Sequence, residues 1–182
     1  PTPQDPGELI DVLVSALRGR SNLTGLGIGC PGPLDQKTGE ILGPPALPHW
    51  QRFPLADRLS SALDVPVALE NDGNAGALGE AVHGSAKGFP RVFYMTISTG
   101  IGTGIVIDNK VYGGAHGLAG EIWAFDPDLF RGARGTIIND IASGSGLAKQ
   151  AAAASVEDGT LISNAVDLMG RAEAGEEAAV EG

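Results

Sequence analysis

Apolar positions recur at intervals of three and four near the start of the chain, and later they form short runs and alternating stretches. Asp5-Pro6 is a typical helix start, and apolar residues follow at helical spacing until Gly19. A second helical period covers Pro54 to Leu63. Short apolar stretches bounded by turn residues predict strands at Leu26 to Cys30, Val65 to Leu69, Arg91 to Ser98 and Ile101 to Ile107. Alternation of helical and strand periods predicts an α/β fold.

The remaining segments are rich in glycine or alanine and predict a site built from loops and small-residue helices. We predict one mixed sheet that carries the hairpin Ile101 to Tyr112, with helices packed on it. The further expected elements are a helix over Gly73 to His83, a tight turn at Asp108-Asn109, a loop over Gly113 to Gly120, an irregular stretch over Gly39 to Pro48, and helices from Ser143 to Ala154, near Leu161 to Gly170 and from Ala172 onward.

Composition and charge narrow the class of protein. The chain has 182 residues, of which 42% are hydrophobic, so it can bury a core. Its formal net charge of −10 makes nucleic acid or an anionic membrane a poor partner. Cys30 is the single cysteine and cannot form an internal disulfide, which suits the cytoplasm. The chain shows neither a secretory leader nor an apolar run long enough to cross a bilayer.

Asn71-Asp72 is the first candidate for chemistry, because it follows a predicted strand at the point where α/β proteins bind ligands. Asp72 could act as the base that accepts a hydroxyl proton during phosphoryl transfer. Asn71 could hold a neighbouring hydroxyl, since its amide both donates and accepts. Both residue types are also preferred helix caps, and capping alone would explain one of them.

A glycine-rich turn over Thr99 to Gly104 is the second candidate. Glycine at every second position lets backbone N–H groups approach an anion, and the hydroxyls of Thr99 and Thr103 could add donors. The pattern lacks the Gly-Lys-Ser/Thr of a P-loop, and a strand follows rather than the helix of a dinucleotide fingerprint. A tight hairpin without a ligand is the alternative.

Single residues add weaker signals. Glu121 in the glycine-rich loop could accept hydrogen bonds from two sugar hydroxyls, or be a solvated acid. Trp50 could stack on a sugar ring, with His49 bonding to it, or Trp50 could cover the core. His83 and His116 show no metal-ligand spacing.

Taken in order along the chain, these motifs resemble the ROK family (repressor, open reading frame, kinase), which has the actin-like ATPase fold shared with hexokinases. The resemblance is carried by Gly27 to Pro33, Leu69 to Ala75 with Gly79-Glu80, Ser98 to Gly104, Ala119 to Ile122 and Ala142 to Gly144. It implies that Asp72 is the catalytic base and that Asn71, Glu121 and Gly32 belong to the sugar site. It further implies that nucleotide phosphates bind the turn at Thr99, Gly100, Gly102 and Thr103.

The resemblance implies an ATP-dependent kinase for a hexose of the glucose or N-acetylhexosamine type, with ATP and Mg²⁺ as cofactors and a homodimer for the complete protein. It implies a small lobe ending near residue 90, with the sugar segment, and a large lobe over 91–182, with the phosphate hairpin. Many members carry a zinc site built from a histidine and a cysteine-rich segment. Here Trp123-Ala124 and Gly132 to Thr136 occupy those places, so we expect no structural zinc. Packing by hydrophobic residues is expected instead, namely Ile122, Trp123, Phe125, Phe130, Ile137 and Ile138.

Two other functions remain open at this point. The chain could belong to a sugar-sensing transcriptional regulator of the same family, or to a kinase-like domain that binds sugar without catalysis. Asp72 argues mildly for the kinase, because a sensor needs no base. Compared with the family pattern, both ends resemble cuts through a longer chain, so we expect these 182 residues alone to be inactive.

Overall fold

The computed structural model describes residues 2–44, 47–127, 135–158 and 165–174. Within these ranges, helices and strands alternate in an α/β arrangement, which confirms the predicted class. No helix in the described ranges is both long and apolar enough to cross a membrane. The elements in chain order are α1 (Pro6–Leu17), β1 (Leu26–Cys30), β2 (Leu34–Asp35), β3 (Glu40–Ile41), α2 (Leu55–Leu63), β4 (Val67–Asn71), α3 (Asp72–Val82), β5 (Arg91–Ile97), β6 (Ile101–Ile107), β7 (Lys110–Val111), a 3₁₀ helix (Ile122–Ala124), α4 (Ile138–Ala142), α5 (Gly144–Asp158) and α6 (Ala165–Glu173).

The first half of the chain is organised by a parallel pair of strands. β1 and β4 pair in register from Leu26 with Val67 to Cys30 with Asn71, so both carboxyl ends lie at one edge. α1 begins at Pro6 because the Asp5 carboxylate accepts hydrogen bonds from the first free amides. Helices α1 and α2 and the strands bury the main core: Val14, Cys30, Ile41, Leu47, Trp50, Leu55, Ala56, Leu59 and Leu69.

The second half is built on an antiparallel hairpin. β5 pairs with β6, and β6 continues into β7 through Asp108-Asn109, both of which adopt the positive φ that a tight hairpin turn needs. Helix α3 lies against β6 with almost no side chain between them. A Cβ built on Gly73 would lie 2.5 Å from the Thr103 carbonyl oxygen, and one on Gly104 would lie 2.6 Å from the Gly73 oxygen.

Most predicted elements are present, with shifted ends. The strand predicted at Val65 to Leu69 lies at Val67–Asn71, and the helix predicted to continue to Ala154 extends to Asp158. The last helix lies at Ala165–Glu173, while residues 175–182 lie outside the described ranges.

Three expectations were wrong. The described strands fall into three small sheets, β1–β4, β2–β3 and β5–β6–β7, and not one mixed sheet. The stretch after Gly39, predicted to be irregular, contains β3. Trp123 and Phe125 do not pack the loop after Gly120, because they are 39% and 45% exposed. Ile122, Ile137 and Ile138 are half-buried, and Phe130 lies outside the described residues.

Substitution of two glycines on α3 tests the close approach of this helix to β6. We expect Gly73→Ala to destabilise the protein, because the added methyl would overlap backbone atoms of Thr103. Gly79→Ala is the matched control, since its Cβ meets nothing within 4 Å; in a helix it should be stabilising by about 0.5–1 kcal/mol. Urea unfolding of both variants gives the free energies. Equal effects of the two substitutions would contradict the contact.

Candidate active site

The carboxyl ends of β1 and β4 bring the first group of predicted site residues together. Asn71 ends β4 and caps α3, because its Oδ1 accepts hydrogen bonds from the amides of Gly73 at 2.9 Å and Asn74 at 3.2 Å. Asp72 is the first residue of α3 and is exposed. Gly32 lies beside the other end of the Asn71 amide, since a Cβ at Gly32 would be 3.5 Å from Nδ2. Asn71 therefore uses its oxygen for capping and keeps its NH₂ group on the side of Gly32.

The Glu70 carboxylate supports the start of α3 through hydrogen bonds. Its Oε1 accepts hydrogen bonds from the Asn71 amide at 2.8 Å, from Asn74 Nδ2 at 3.0 Å and from Gln36 Nε2 at 2.5 Å. Gln36 lies in the turn that joins β2 to β3, so one carboxylate ties that turn to the start of α3. The sequence does not single out Glu70, because neither its type nor its position distinguishes it from an ordinary strand residue.

Cys30 is the last residue of β1, at the same edge, and it pairs with Asn71 of β4. Burial, together with the nearby carboxylates of Asp72 and Glu70, raises the pKa of its thiol to about 11. A thiol with a raised pKa has little thiolate at neutral pH and is a poor nucleophile. Cys30 therefore acts as a small apolar core residue.

Thr103 connects the start of α3 to the loop that carries Glu121. It is buried, its backbone contacts Gly73, and its hydroxyl donates to the Gly120 carbonyl oxygen. Glu121 follows directly, is half-buried, and accepts a hydrogen bond from the indole N–H of Trp123. The chain segments that carry Asp72 and Glu121 therefore both contact Thr103. The Thr103 hydroxyl proton is used inside the protein, so its phosphate-binding role stays a prediction that would require release from Gly120.

The turn from Ser98 to Gly100, which we call the nucleotide turn after its predicted role, lies at the edge of a cavity. This cavity of about 1010 Å³ is lined by residues of this turn, α5 and α6. Thr99 is exposed at its mouth, and Leu147, Ala148 and Met169 belong to its lining. Gly102 lies on β6, where a Cβ would be 2.9 Å from Thr96 Cγ2. Thr99 therefore faces the cavity, whereas a Cβ on Gly100 would lie 3.3 Å from Asn139 Oδ1 and Gly102 is confined within the hairpin.

Two other residues can be placed. Trp50 is 1% exposed, contacts Phe53 edge-on and donates its indole N–H to the Gln4 carbonyl at 3.1 Å, so it packs in the core and does not face a ligand. Asn139 Oδ1 accepts a hydrogen bond from the Ile101 amide at 3.1 Å. Among the described residues, no three His, Cys, Asp or Glu side chains cluster as a metal site. Absence of zinc stays a prediction.

Comparison with known proteins gives a consistent family. The chain matches the ROK family over residues 2–181. It is 40% identical over 100 residues to the xylose repressor of Caldicellulosiruptor bescii, covering 55% of this chain and 25% of that protein. It is 38% identical over 128 residues to the glucokinase of Halalkalibacterium halodurans, covering 65% of this chain and 38% of that protein.

Solved structures agree with this result. The ROK hexokinase of Thermus thermophilus matches with a TM-score of 0.81 and 32% identity, over 100% of this chain and 62% of that one. A ROK glucokinase of Streptomyces griseus, solved with glucose and AMPPNP, matches with a TM-score of 0.74 and 31% identity, over 99% and 64%. The chain therefore spans less than two thirds of these relatives.

The environment of Cys30 gives a prediction that depends on pH. Its pKa of about 11 in the folded state lies above the ordinary 9.0, so Cys30 favours folding below pH 9, and this contribution is lost as the pH rises through 11. At pH 8 its thiolate fraction should be about a hundredfold lower than in the unfolded chain. We expect iodoacetamide to label the native protein at least that much more slowly than protein unfolded in urea. Equal labelling rates would contradict the buried, protonated thiol.

Proposed function

This chain belongs to the ROK family, whose sugar kinases share its actin-like ATPase fold, and from that premise we propose that it forms the central part of an ATP-dependent hexose kinase. The observation that carries the proposal is the placement of Asn71 and Asp72 at the joined ends of β1 and β4, with Thr103 linking them to the Glu121 segment. One side of the site would bind the sugar, and the other would bind the nucleotide.

On the sugar side, each residue has a distinct task. Asp72 is exposed, and its carboxylate accepts a hydrogen bond from the Gly73 amide, so it can accept the proton of the attacking hydroxyl. The NH₂ group of Asn71 and the close-lying backbone at Gly32 can hold the sugar beside it. Glu121 would exchange its bond to Trp123 for bonds to two ring hydroxyls. These contacts orient one hydroxyl for transfer.

On the nucleotide side, the nucleotide turn and the adjoining cavity provide the complementary surface. The cavity volume of about 1010 Å³ is large enough for a base and ribose, and its apolar lining suits a nucleobase. Thr99 lines this cavity, so its hydroxyl can donate to the phosphates of a nucleotide bound there. The relative solved with AMPPNP and glucose supports a ternary arrangement of this kind.

Magnesium fits this site as an ion that arrives with the nucleotide. The described residues form no metal cluster, and Mg²⁺ is usually bound through one or two carboxylates and substrate phosphates. When bound, the ion would neutralise phosphate charge during transfer. The chain's own residues hold the sugar, accept the proton at Asp72 and keep the two substrates in line.

A sugar-sensing regulator is the second candidate, and the 40% identity to a xylose repressor favours it. An assay on the full-length protein separates the two functions. Sugar-dependent ADP release with glucose, N-acetylglucosamine or N-acetylmannosamine supports the kinase. Sugar binding by calorimetry without ADP release would support the regulator or a non-catalytic binding domain.

Replacement of Asp72 tests the proposed base. We expect Asp72→Asn to lower turnover by ~10² or more, because the amide cannot accept the hydroxyl proton at neutral pH. The variant keeps an oxygen for the bond from the Gly73 amide, so folding and sugar affinity should change little. Coupled ADP release measures turnover, and calorimetry measures sugar binding. Unchanged turnover would remove Asp72 from the mechanism.

Two substitutions of Asn71 separate its capping from its proposed sugar contact. Serine is as good a cap as asparagine, so Asn71→Ser should retain the free energy of unfolding, whereas Asn71→Ala should lose ~1 kcal/mol. Both remove the NH₂ group beside Gly32, so both should weaken sugar binding by about tenfold, the size of one lost hydrogen bond. Normal sugar binding by Asn71→Ser would show that Asn71 is only a cap.

A further inference from the structure

The Glu121 carboxylate, which is the proposed ligand for two sugar hydroxyls, already has a partner within the protein. Its Oε2 accepts a hydrogen bond from the indole N–H of Trp123, two residues further along the chain. An indole N–H only donates, and a sugar hydroxyl that binds a carboxylate must also donate. The indole therefore occupies one of the places on Glu121 that a sugar hydroxyl would take.

Hydrogen bonds fix the backbone of the short segment that carries both side chains. Before the segment, the Gly120 carbonyl oxygen accepts a hydrogen bond from the Thr103 hydroxyl. After it, the Phe125 carbonyl oxygen accepts one from the Ile138 amide at 2.8 Å. The acid and the indole therefore stay adjacent, and a sugar can displace the indole through side-chain rotation alone.

The two tryptophans of the chain differ in their freedom to make such a rotation. Trp50 is 1% exposed and lies in the core, where its indole N–H is bonded to the Gln4 carbonyl oxygen. Trp123 is 39% exposed, and its partner Glu121 is half-buried. The Trp123 indole can therefore leave the carboxylate without opening the core.

The bond to the indole changes how Glu121 distinguishes one sugar from another. A hexose that offers two hydroxyls to Glu121 must displace the indole, so the carboxylate gains two hydrogen bonds and loses one. A hexose that lacks one of these hydroxyls gains one bond at Oε1, while the indole stays on Oε2 and keeps that oxygen satisfied. Both sugars therefore end with the same net gain at this carboxylate. Without the indole they would differ by one bond, and an oxygen would be left unpaired by the second sugar.

We propose that Trp123 is a positioning residue that sets the sugar preference of the site, and that because of it the site binds a deoxyhexose with nearly the affinity of the complete hexose. The inference rests on the proposed function for the sugar contact of Glu121. It deepens that function because it names a substrate class, namely hexoses that lack one of the two hydroxyls facing Glu121, and the side chain that admits them.

The test compares two variants of the full-length protein with the wild type. Trp123→Phe keeps an aromatic ring and removes the N–H donor. Phe125→Leu is the matched control, because it alters another exposed aromatic side chain of the same segment, one that has no polar hydrogen. Calorimetry gives the dissociation constants for glucose and for each of its monodeoxy derivatives. Indole N–H signals in proton–nitrogen NMR spectra report the bond itself, and the signal missing from Trp123→Phe belongs to Trp123.

We expect Trp123→Phe to bind glucose ~10-fold more tightly, the size of one hydrogen bond, because no indole has to be displaced. For at least one monodeoxy sugar the affinity should not rise, so the ratio between glucose and that sugar should widen by the same ~10-fold. In the wild type, glucose should shift the Trp123 indole signal, and that deoxy sugar should leave it in place. Phe125→Leu should match the wild type in every affinity.

Three results would overturn the proposal. The first is an unchanged ratio of glucose to every monodeoxy sugar in Trp123→Phe. The second is weaker glucose binding by Trp123→Phe, since the indole would then hold the sugar itself. The third is an equal change in Phe125→Leu, which would assign the effect to the segment and not to the N–H donor. Sugar binding without ADP release by the wild type would defeat the proposed kinase alone, while the affinity ratios still decide the role of Trp123. No sugar binding at all would overturn both.

Discussion

The close approach of α3 to β6 is the contact on which the rest of the site depends. Gly73 and Gly104 leave no side chain between the helix and the strand, so the backbone of Thr103 lies against the first turn of α3. This contact joins the parallel β1–β4 pair to the antiparallel hairpin, although the two belong to separate sheets. Without it, the residues proposed for the sugar and those proposed for the nucleotide would lie on unconnected parts of the chain.

Polar side chains hold the backbone in place on both sides of that contact. Glu70 in β4 ties the start of α3 to the β2–β3 turn, and Asn139 in α4 fixes the start of β6. In both cases one acceptor oxygen receives a backbone amide next to a proposed ligand-binding segment. Such bonds stabilise the fold by about 0.5–1.5 kcal/mol each, and their larger effect is on geometry.

Sequence patterns predicted local elements well and their connections poorly. The Asp5-Pro6 start of α1 and the Asp108-Asn109 hairpin follow from backbone preferences, so they could be read from a few neighbouring residues. The roles of Glu70 and Asn139 depend on partners 34 and 38 residues away, and no periodic pattern records such pairs. The α/β class was predictable because helical and strand periods are also local patterns, whereas the division into three small sheets was not.

A contact between a helix and a strand that is made by backbone alone tolerates few substitutions. Side chains can be trimmed or exchanged in small steps, but a glycine in such a contact can only gain atoms, and Gly73 and Gly104 have no room for them. Changes of ligand preference must then arise around this fixed centre, at exposed positions such as Thr99 and half-buried ones such as Glu121. Related proteins with this scaffold can therefore bind different ligands, because the residues that cannot vary are not those that select the ligand.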